Sequence, residues 1–203
     1  MTHPFPFGDE PLGIDIPDAD VRYWPRVDFG APPDLVMRRL IEATPWRSEV
    51  ITLWGKQYQQ PRLTAWFGDA DAQYTYSGLA LEPLPWTELL SNIRSRVEAV
   101  TEASFNSVLL NYYRDHRDSM GMHSDDEAEL GRNPAIASVS LGEQRTLVLK
   151  HKFRKELKPF HLPLDSGSVL LMTGPTQHYW KHGINKVTRP CGPRVNLTFR
   201  RIF

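Results

Sequence analysis

The chain has 203 residues, 40% of them apolar, with 24 Lys+Arg balanced by 24 Asp+Glu and a single cysteine. This length fits one large domain that buries a core without disulfide staples. One cysteine excludes a disulfide framework or a Cys-based zinc finger and favours a reducing compartment. Zero net charge gives no argument for a nucleic-acid partner, although local clustering of charge still can.

The opening stretch, MTHPFPFGDEPLGIDIPDAD, lacks the basic and apolar regions of a signal peptide. It is expected to form an irregular arm over the core or to be partly disordered. PPDLVMRRLIEATPW predicts a short helix: proline opens it, Leu35, Val36, Leu40 and Ile41 recur at helical spacing, and Pro45 closes it. PWTELLSNIRSRVEAVTE predicts a longer one, with Leu89, Leu90, Ile93, Val97 and Val100 on one face. Short strands follow. FNSVLLNYYRD is β-rich, and PAIASVSLGEQRTLVLKHK reads as two strands around a turn at Leu141–Glu143. PFHLPLDSGSVLLMTG gives another pair around Asp165, Ser166 and Gly167, and PRVNLTFRRIF a final strand. Helices first and closely spaced strands after suggest an antiparallel sandwich or jelly roll buttressed by N-terminal helices. No apolar run approaches the ~20 residues of a membrane-spanning helix. Cys191, between a proline and a glycine, reads as an ordinary small residue.

The stretch DSMGMHSDDEAELG, starting at Asp118, places His123 beside three acids, Asp125, Asp126 and Glu127. On an extended chain, residues two apart point the same way, so His123 and Asp125 face one point in space. Alone, this pattern fits a solvated loop as well as a metal site. A third ligand is available in HYWKHGI, from His178 or His182. Two histidines and a carboxylate on a barrel rim form the facial triad of non-heme Fe(II) oxygenases, with positions open for a cosubstrate and O2. In PRVNLTFR, Arg194, Asn196, Thr198 and Arg200 alternate with Val195, Leu197 and Phe199. A half-exposed edge strand would alternate too. Guanidiniums pointing into a barrel, however, need an anionic partner, and Arg grips a carboxylate in a bidentate fork. A dicarboxylate with one end on the metal and the other on an arginine fits. Asn111 and Tyr113 share one face of LLNYYRD, as contacts to that ligand or as ordinary residues of a half-buried strand.

MHSDDE, IASVSLG, LPLDSGSVLLMTGPTQHYWKHGI and PRVNLTFR, in this order, resemble the AlkB family of Fe(II)/2-oxoglutarate-dependent nucleic-acid dealkylases, from about Ile51 to the C-terminus. QPRLTAWFGD and YTYSGL look more like the animal-type DNA-repair homologues than the founding bacterial enzyme. The resemblance implies a mainly β fold with flanking helices, an α+β double-stranded β-helix in one domain spanning residues 1–203. Residues 1–50 would form an arm and helix, 51–100 a nucleotide-recognition lid and helix, and 101–203 the β-helix core. It implies His123, Asp125 and His182 as iron ligands and catalytic residues, with His178 a polar neighbour. Arg194 would pair with the far carboxylate of 2-oxoglutarate and Arg200 would lie near its metal-chelating end. Asn111, Tyr113 and Asn196 would add cosubstrate contacts. Glu127 would sit near the exocyclic amino group of a damaged base, and Tyr76 would sandwich that base against His123. Trp54, before Gly55 in ITLWGKQY, matches the position of an intercalating aromatic in a duplex-repair homologue, or packs within an N-terminal sheet.

The implied activity is oxidative demethylation of 1-methyladenine and 3-methylcytosine in DNA, with Fe(II), O2 and 2-oxoglutarate, releasing formaldehyde and succinate. Such bases are cationic, which suits an acid such as Glu127, and they are less costly to extrude from the helix. The implied partner is alkylated DNA, single- or double-stranded, with RNA as an alternative. A monomer is expected, cytoplasmic in a bacterium and nuclear or cytoplasmic in a eukaryote. Lys56, Arg62, Lys150, Lys152, Arg154, Lys155 and Lys158 are available for phosphates, although LKHKFRKELK also fits a solvated face. Two competing readings are a hydroxylase or demethylase of RNA or protein, and a non-catalytic nucleic-acid-binding barrel.

Overall fold

The structure, a computed structural model, describes residues 10–48, 50–53, 56–72, 74–76 and 79–203, without the side chains of 51–53, 56, 58, 74–76 and 79–81. Trp54 and the side chain of Tyr76 therefore lie outside the described residues. Helix α1 (Pro33–Ala43) begins with proline in its first turn, where the missing N–H costs nothing, and buries Val36 and Leu40. Helix α2 (Glu88–Thr101) is capped by the Thr87 hydroxyl, which accepts the Leu90 N–H at 3.2 Å. Its apolar stripe buries Leu90, Ile93 and Val97, as the periodicity predicts.

Strands β1 (Leu12–Gly13), β2 (Asp20–Trp24), β3 (Val50–Leu53), β4 (Lys56–Gln59), β5 (Leu63–Gly68), β6 (Tyr74–Tyr76) and β7 (Leu79–Leu81) precede α2. After it come β8 (Ser107–Tyr113), β9 (Met120–His123), β10 (Ile136–Gly142), β11 (Arg145–His151), β12 (Phe160–Leu164) and β13 (Ser168–Thr173). A short helix α3 (Thr176–Tyr179) leads into β14 (Trp180–Ile184), and β15 (Arg194–Arg200) ends the fold. Seven strands form one sheet in the order β1-β2-β13-β10-β15-β8-β5, and four form a second, β12-β11-β14-β9. All pairs within them are antiparallel. Two hairpins, β3-β4 and β6-β7, stand apart.

The alternation along each strand divides the apolar residues between two cores. On one face of the large sheet, Val108, Leu110, Val139, Val195, Leu197 and Phe199 pack with Val36 and Leu40 of α1 and Leu90, Ile93 and Val97 of α2. On the other face, Tyr113, Ile136, Leu170 and Met172 meet Leu147, Leu149, Leu162, Leu164, Trp180 and Ile184 of the small sheet. The result is the sandwich buttressed by helices that the sequence implies. Two details differ. The turns at 141–143 and 165–167 each join two strands, as expected, but the joined strands do not pair: β10 pairs with β13 and β15, while β11 pairs with β12 and β14, so each turn carries the chain from one sheet to the other. Gly142 makes the first crossing with φ +92, where an added Cβ would come within 2.5 Å of the Pro193 carbonyl. The N-terminal arm also contributes β2, whose Val21 and Tyr23 are buried against the second core. Pro17 and Pro25 bracket this short strand, which hides it in a proline-rich context.

Candidate active site

Strands β9 and β14 are paired so that His123 stands directly opposite His182. The chain leaves β9 at His123 and turns inward, which buries Asp125 to 2% exposure. One ligand atom from each of His123, Asp125 and His182 lies within 4.8 Å of the others. The His123 Nε2 is 3.9 Å from Asp125 Oδ1, and the His182 Nε2 is 3.7 Å from Asp125 Oδ2. His178 takes no part; it lies on α3, with Nε2 2.9 Å from Asn133 Oδ1.

The protonation states suit a cation. The Nδ1 of His123 lies 2.9 Å from the Gly121 carbonyl, which can only accept, so Nδ1 donates to it and Nε2 is the nitrogen turned towards Asp125. Burial, reinforced by His123 nearby, pushes His182 down to about 3, so its imidazole is neutral at pH 7. Burial would raise the Asp125 carboxyl, but the Arg200 guanidinium and the two imidazoles outweigh it and hold the group at about 2. Asp125 Oδ1 accepts from Arg200 Nη2 at 2.7 Å. Its other oxygen, Oδ2, is buried with no hydrogen-bond partner among the described residues. Two imidazoles facing one carboxylate, that carboxylate ionised and one of its oxygens buried and orphaned, make a donor set that fits a divalent first-row metal.

The polar face of β15 lines the cavity between the sheets, with Arg200 at the triad end and Arg194 at the other. Arg194 is 1% exposed. Its Nη2 donates to Ser140 Oγ at 2.9 Å, while Nε and Nη1 are buried without a partner among the described residues. Its guanidinium stands over the Tyr113 ring, 5.1 Å from the centroid, and burial lowers its pKa. A buried cation with free donors facing a cavity is a built receptor for an anion. Asn196 also faces the cavity, held by Ser138 Oγ at 2.8 Å and the Val139 carbonyl at 2.9 Å.

Other predicted residues are placed differently. Asn111 is fully buried beside this face; its Oδ1 accepts from Arg62 Nε at 2.7 Å and its amide donates to Asn196 Oδ1 at 3.3 Å. Arg62 is thereby a buried structural residue, not a surface cation for phosphates. Glu127 lines a neighbouring hollow with Asp126, Gln177 and His178, and its Oε2 is buried without a partner among the described residues.

Three supporting residues escaped the sequence reading. Gln177 Oε1 accepts the backbone N–H of Asp125 at 3.0 Å, which fixes that turn. Ser124 Oγ donates to the Trp180 carbonyl at 2.9 Å. Arg145, 3% exposed, donates from Nη2 to the carbonyls of Asp118 at 2.9 Å and Asn185 at 2.5 Å. These carbonyls lie just outside β9 and β14, so the guanidinium takes the place of a further rung between the two ligand strands. The alternation Arg145, Leu147, Leu149 marks Arg145 as inward-facing and could have revealed it; nothing in the sequence marks Gln177 or Ser124.

A jelly roll with two histidines and one carboxylate on its small sheet defines the class of mononuclear non-heme iron oxygenases. The comparisons agree. The 2OG-Fe(II) oxygenase superfamily matches residues 33–200, which extends the likeness to α1. Mouse alpha-ketoglutarate-dependent dioxygenase alkB homolog 3 is 41% identical over 178 residues, covering 84% of this chain and 62% of that protein. Human DNA oxidative demethylase ALKBH2 is 44% identical over 158 residues, covering 75% and 60%. The solved structure of OsALKBH1 superposes with a TM-score of 0.62 at 19% identity, covering 89% of this chain and 97% of that one, a likeness of fold. The chain belongs to the 2OG-Fe(II) oxygenase superfamily and, within it, to the AlkB family. It spans about three fifths of the length of the curated relatives it matches.

Proposed function

We propose that this chain oxidatively demethylates N-alkylated bases, 1-methyladenine and 3-methylcytosine, in DNA, with Fe(II), O2 and 2-oxoglutarate. Formaldehyde and succinate are the co-products, RNA is an alternative substrate, and the chain acts as a monomer. The observation that carries the reading is one cavity with a three-ligand metal site at one end and an unsatisfied buried arginine at the other. The names of the relatives, a DNA oxidative demethylase among them, supply the substrate class.

His123, His182 and Asp125 would hold the iron, with the Asp125 oxygen that lacks a partner available to it. Bound iron, with O2 and 2-oxoglutarate, supplies the oxidising chemistry. Arg200 keeps the Asp125 carboxylate ionised and oriented. Arg194 receives the far carboxylate of 2-oxoglutarate on its two free nitrogens, with Tyr113 against its face and Asn196 beside it. Asn111 acts indirectly, by orienting Asn196. Glu127 places a carboxylate near a cationic base, Tyr76 covers that base, and Trp54 fills the gap left in a duplex. Residues 1–203 work as one domain, with 1–50 as an arm and helix, 51–100 as the nucleotide-recognition lid and a helix, and 101–203 as the β-helix core.

The test is formaldehyde release from methylated single-stranded DNA, duplex DNA and RNA, compared side by side. One formaldehyde per succinate, on at least one of these, is expected. Succinate formation that no methylated oligonucleotide stimulates would favour a hydroxylase or demethylase of another substrate.

A further inference from the structure

The end of β11 and the loop after it carry five cations, Lys150 on the strand and Lys152, Arg154, Lys155 and Lys158 beyond it, against one acid, Glu156. Some of that charge is spent locally. Arg154 pairs with Glu156 at 3.0 Å and Asp18 at 3.5 Å, and Lys152 pairs with Asp126 at 2.8 Å. Lys150 and Lys181, by contrast, stand opposite each other on β11 and β14, both exposed, with no carboxylate partner among the described residues. Like charges in direct cross-strand register repel, and a pair left facing outward is an unneutralised site for an anion.

Just beyond the end of this ladder, Phe153 is 68% exposed and Tyr179 is 38% exposed. Their rings meet edge to face at 6.1 Å. Phe153 is fixed in position. The buried ring of His151 accepts the N–H groups of Phe153 at 3.2 Å and Arg154 at 2.9 Å on Nδ1. The other nitrogen of that ring lies 3.2 Å from the Asp18 carboxylate. The Lys152 N–H donates to the Tyr179 carbonyl at 2.7 Å. Through its pair with Asp126, Lys152 also ties the loop to the residue that follows the ligand Asp125.

We infer that Phe153 and Tyr179, flanked by Lys150 and Lys181, form a platform for single-stranded nucleic acid, joined to the ligand turn through the Lys152–Asp126 pair. An unpaired base next to the reacting nucleotide stacks on Phe153, and its phosphates meet the two lysines. Base–aromatic stacking is indifferent to sequence and needs a base already out of a helix, so a single strand, not a duplex, is the occupant. The inference rests on the nucleic-acid reading above, but it concerns binding and needs no turnover to be tested.

The experiment is fluorescence anisotropy with an unmodified oligothymidylate and the full chain. Phe153→Ala should weaken binding between about 5-fold and about 150-fold, and Phe153→Trp should restore it. The double variant Lys150→Gln/Lys181→Gln should flatten the salt dependence by about 0.7 in logarithmic slope for each lysine removed. Both residues are exposed, so melting temperatures should match the wild type. Wild-type affinity in Phe153→Ala would overturn the inference. So would loss of binding to anionic lipid vesicles in that variant with oligonucleotide affinity unchanged. A wild type that binds the oligonucleotide through Phe153 but releases no formaldehyde would sink the demethylase reading and leave the platform standing.

Discussion

Arg194 shows how a single side chain trades stability for a ligand. Its guanidinium is buried, satisfied by one hydroxyl, and carries two nitrogens with no partner among the described residues. Arg194→Met should raise the KM for 2-oxoglutarate by about 10- to 100-fold, the loss of a charge-assisted pair worth roughly 1.5–3 kcal/mol. In buffer without 2-oxoglutarate the same variant should melt no lower than the wild type, because apolar replacement of a buried charge is often neutral or stabilising. An unchanged KM would remove Arg194 from the cosubstrate site. His182 makes a second residue-scale prediction. Its folded value of about 3 lies below the ordinary 6.5. The unfolded chain therefore takes up the proton first, and the metal-free protein loses stability as pH falls from about 6.5 towards 3. Asp125, held at about 2 against an ordinary 3.8, contributes stability that is present above 3.8 and lost as pH falls towards 2. Denaturant titrations across this range should show His182→Leu with a flatter slope between these values. A wild-type slope in the variant would contradict the assignment.

At the scale of elements, the site depends on how closely β9 approaches β14. Their ladder has a register irregularity between His182 and Ile184. Gly183 lies there, and a Cβ on it would come within 2.8 Å of the Met120 carbonyl and 3.1 Å of the Gly121 carbonyl carbon. Gly183→Ala should push the ligand strands apart and weaken Fe(II) binding by about tenfold or more, the scale of lost supporting contacts at metal sites. Calorimetric titration checks this; wild-type affinity would mean that the strands have slack. Arg145 bridges the same two strands beyond the ladder. Arg145→Met leaves buried carbonyls unpaired and should cost roughly 2–5 kcal/mol of unfolding free energy, measurable by chemical denaturation. The sequence makes the elements themselves largely legible. Both helices follow from their apolar periods, and β15 from its strict alternation. The pairing of strands was less legible. A glycine turn between two apolar runs looks the same whether it closes a hairpin or carries the chain across a sandwich, and the partners that decide are distant in sequence, as Phe199 is from Ala137 and Trp24 is from Val169. The ligands and Arg194 could be read because their chemistry is written in residue type and spacing. Gln177 and Ser124 could not, because they act through backbone groups that only the fold brings near.

In the whole molecule, the large sheet separates two tasks. One face is sealed by α1 and α2 over an apolar core. The other contributes Arg194, Asn196 and Arg200 to a cavity closed by the small sheet. That division lets buried polar groups sit on strands whose opposite face supplies the stability. It also locates the ligand set at the meeting of β9, β14 and the turn after β9, where a metal ion would tie the small sheet to Arg200 of the large one through Asp125. The most direct test is anaerobic titration of the metal-free protein with Fe(II) in the presence of 2-oxoglutarate. The account predicts one Fe(II) bound per chain, and none in Asp125→Ala or His182→Ala variants that remain folded. Stoichiometric binding that survives in those variants would place the metal elsewhere and contradict it.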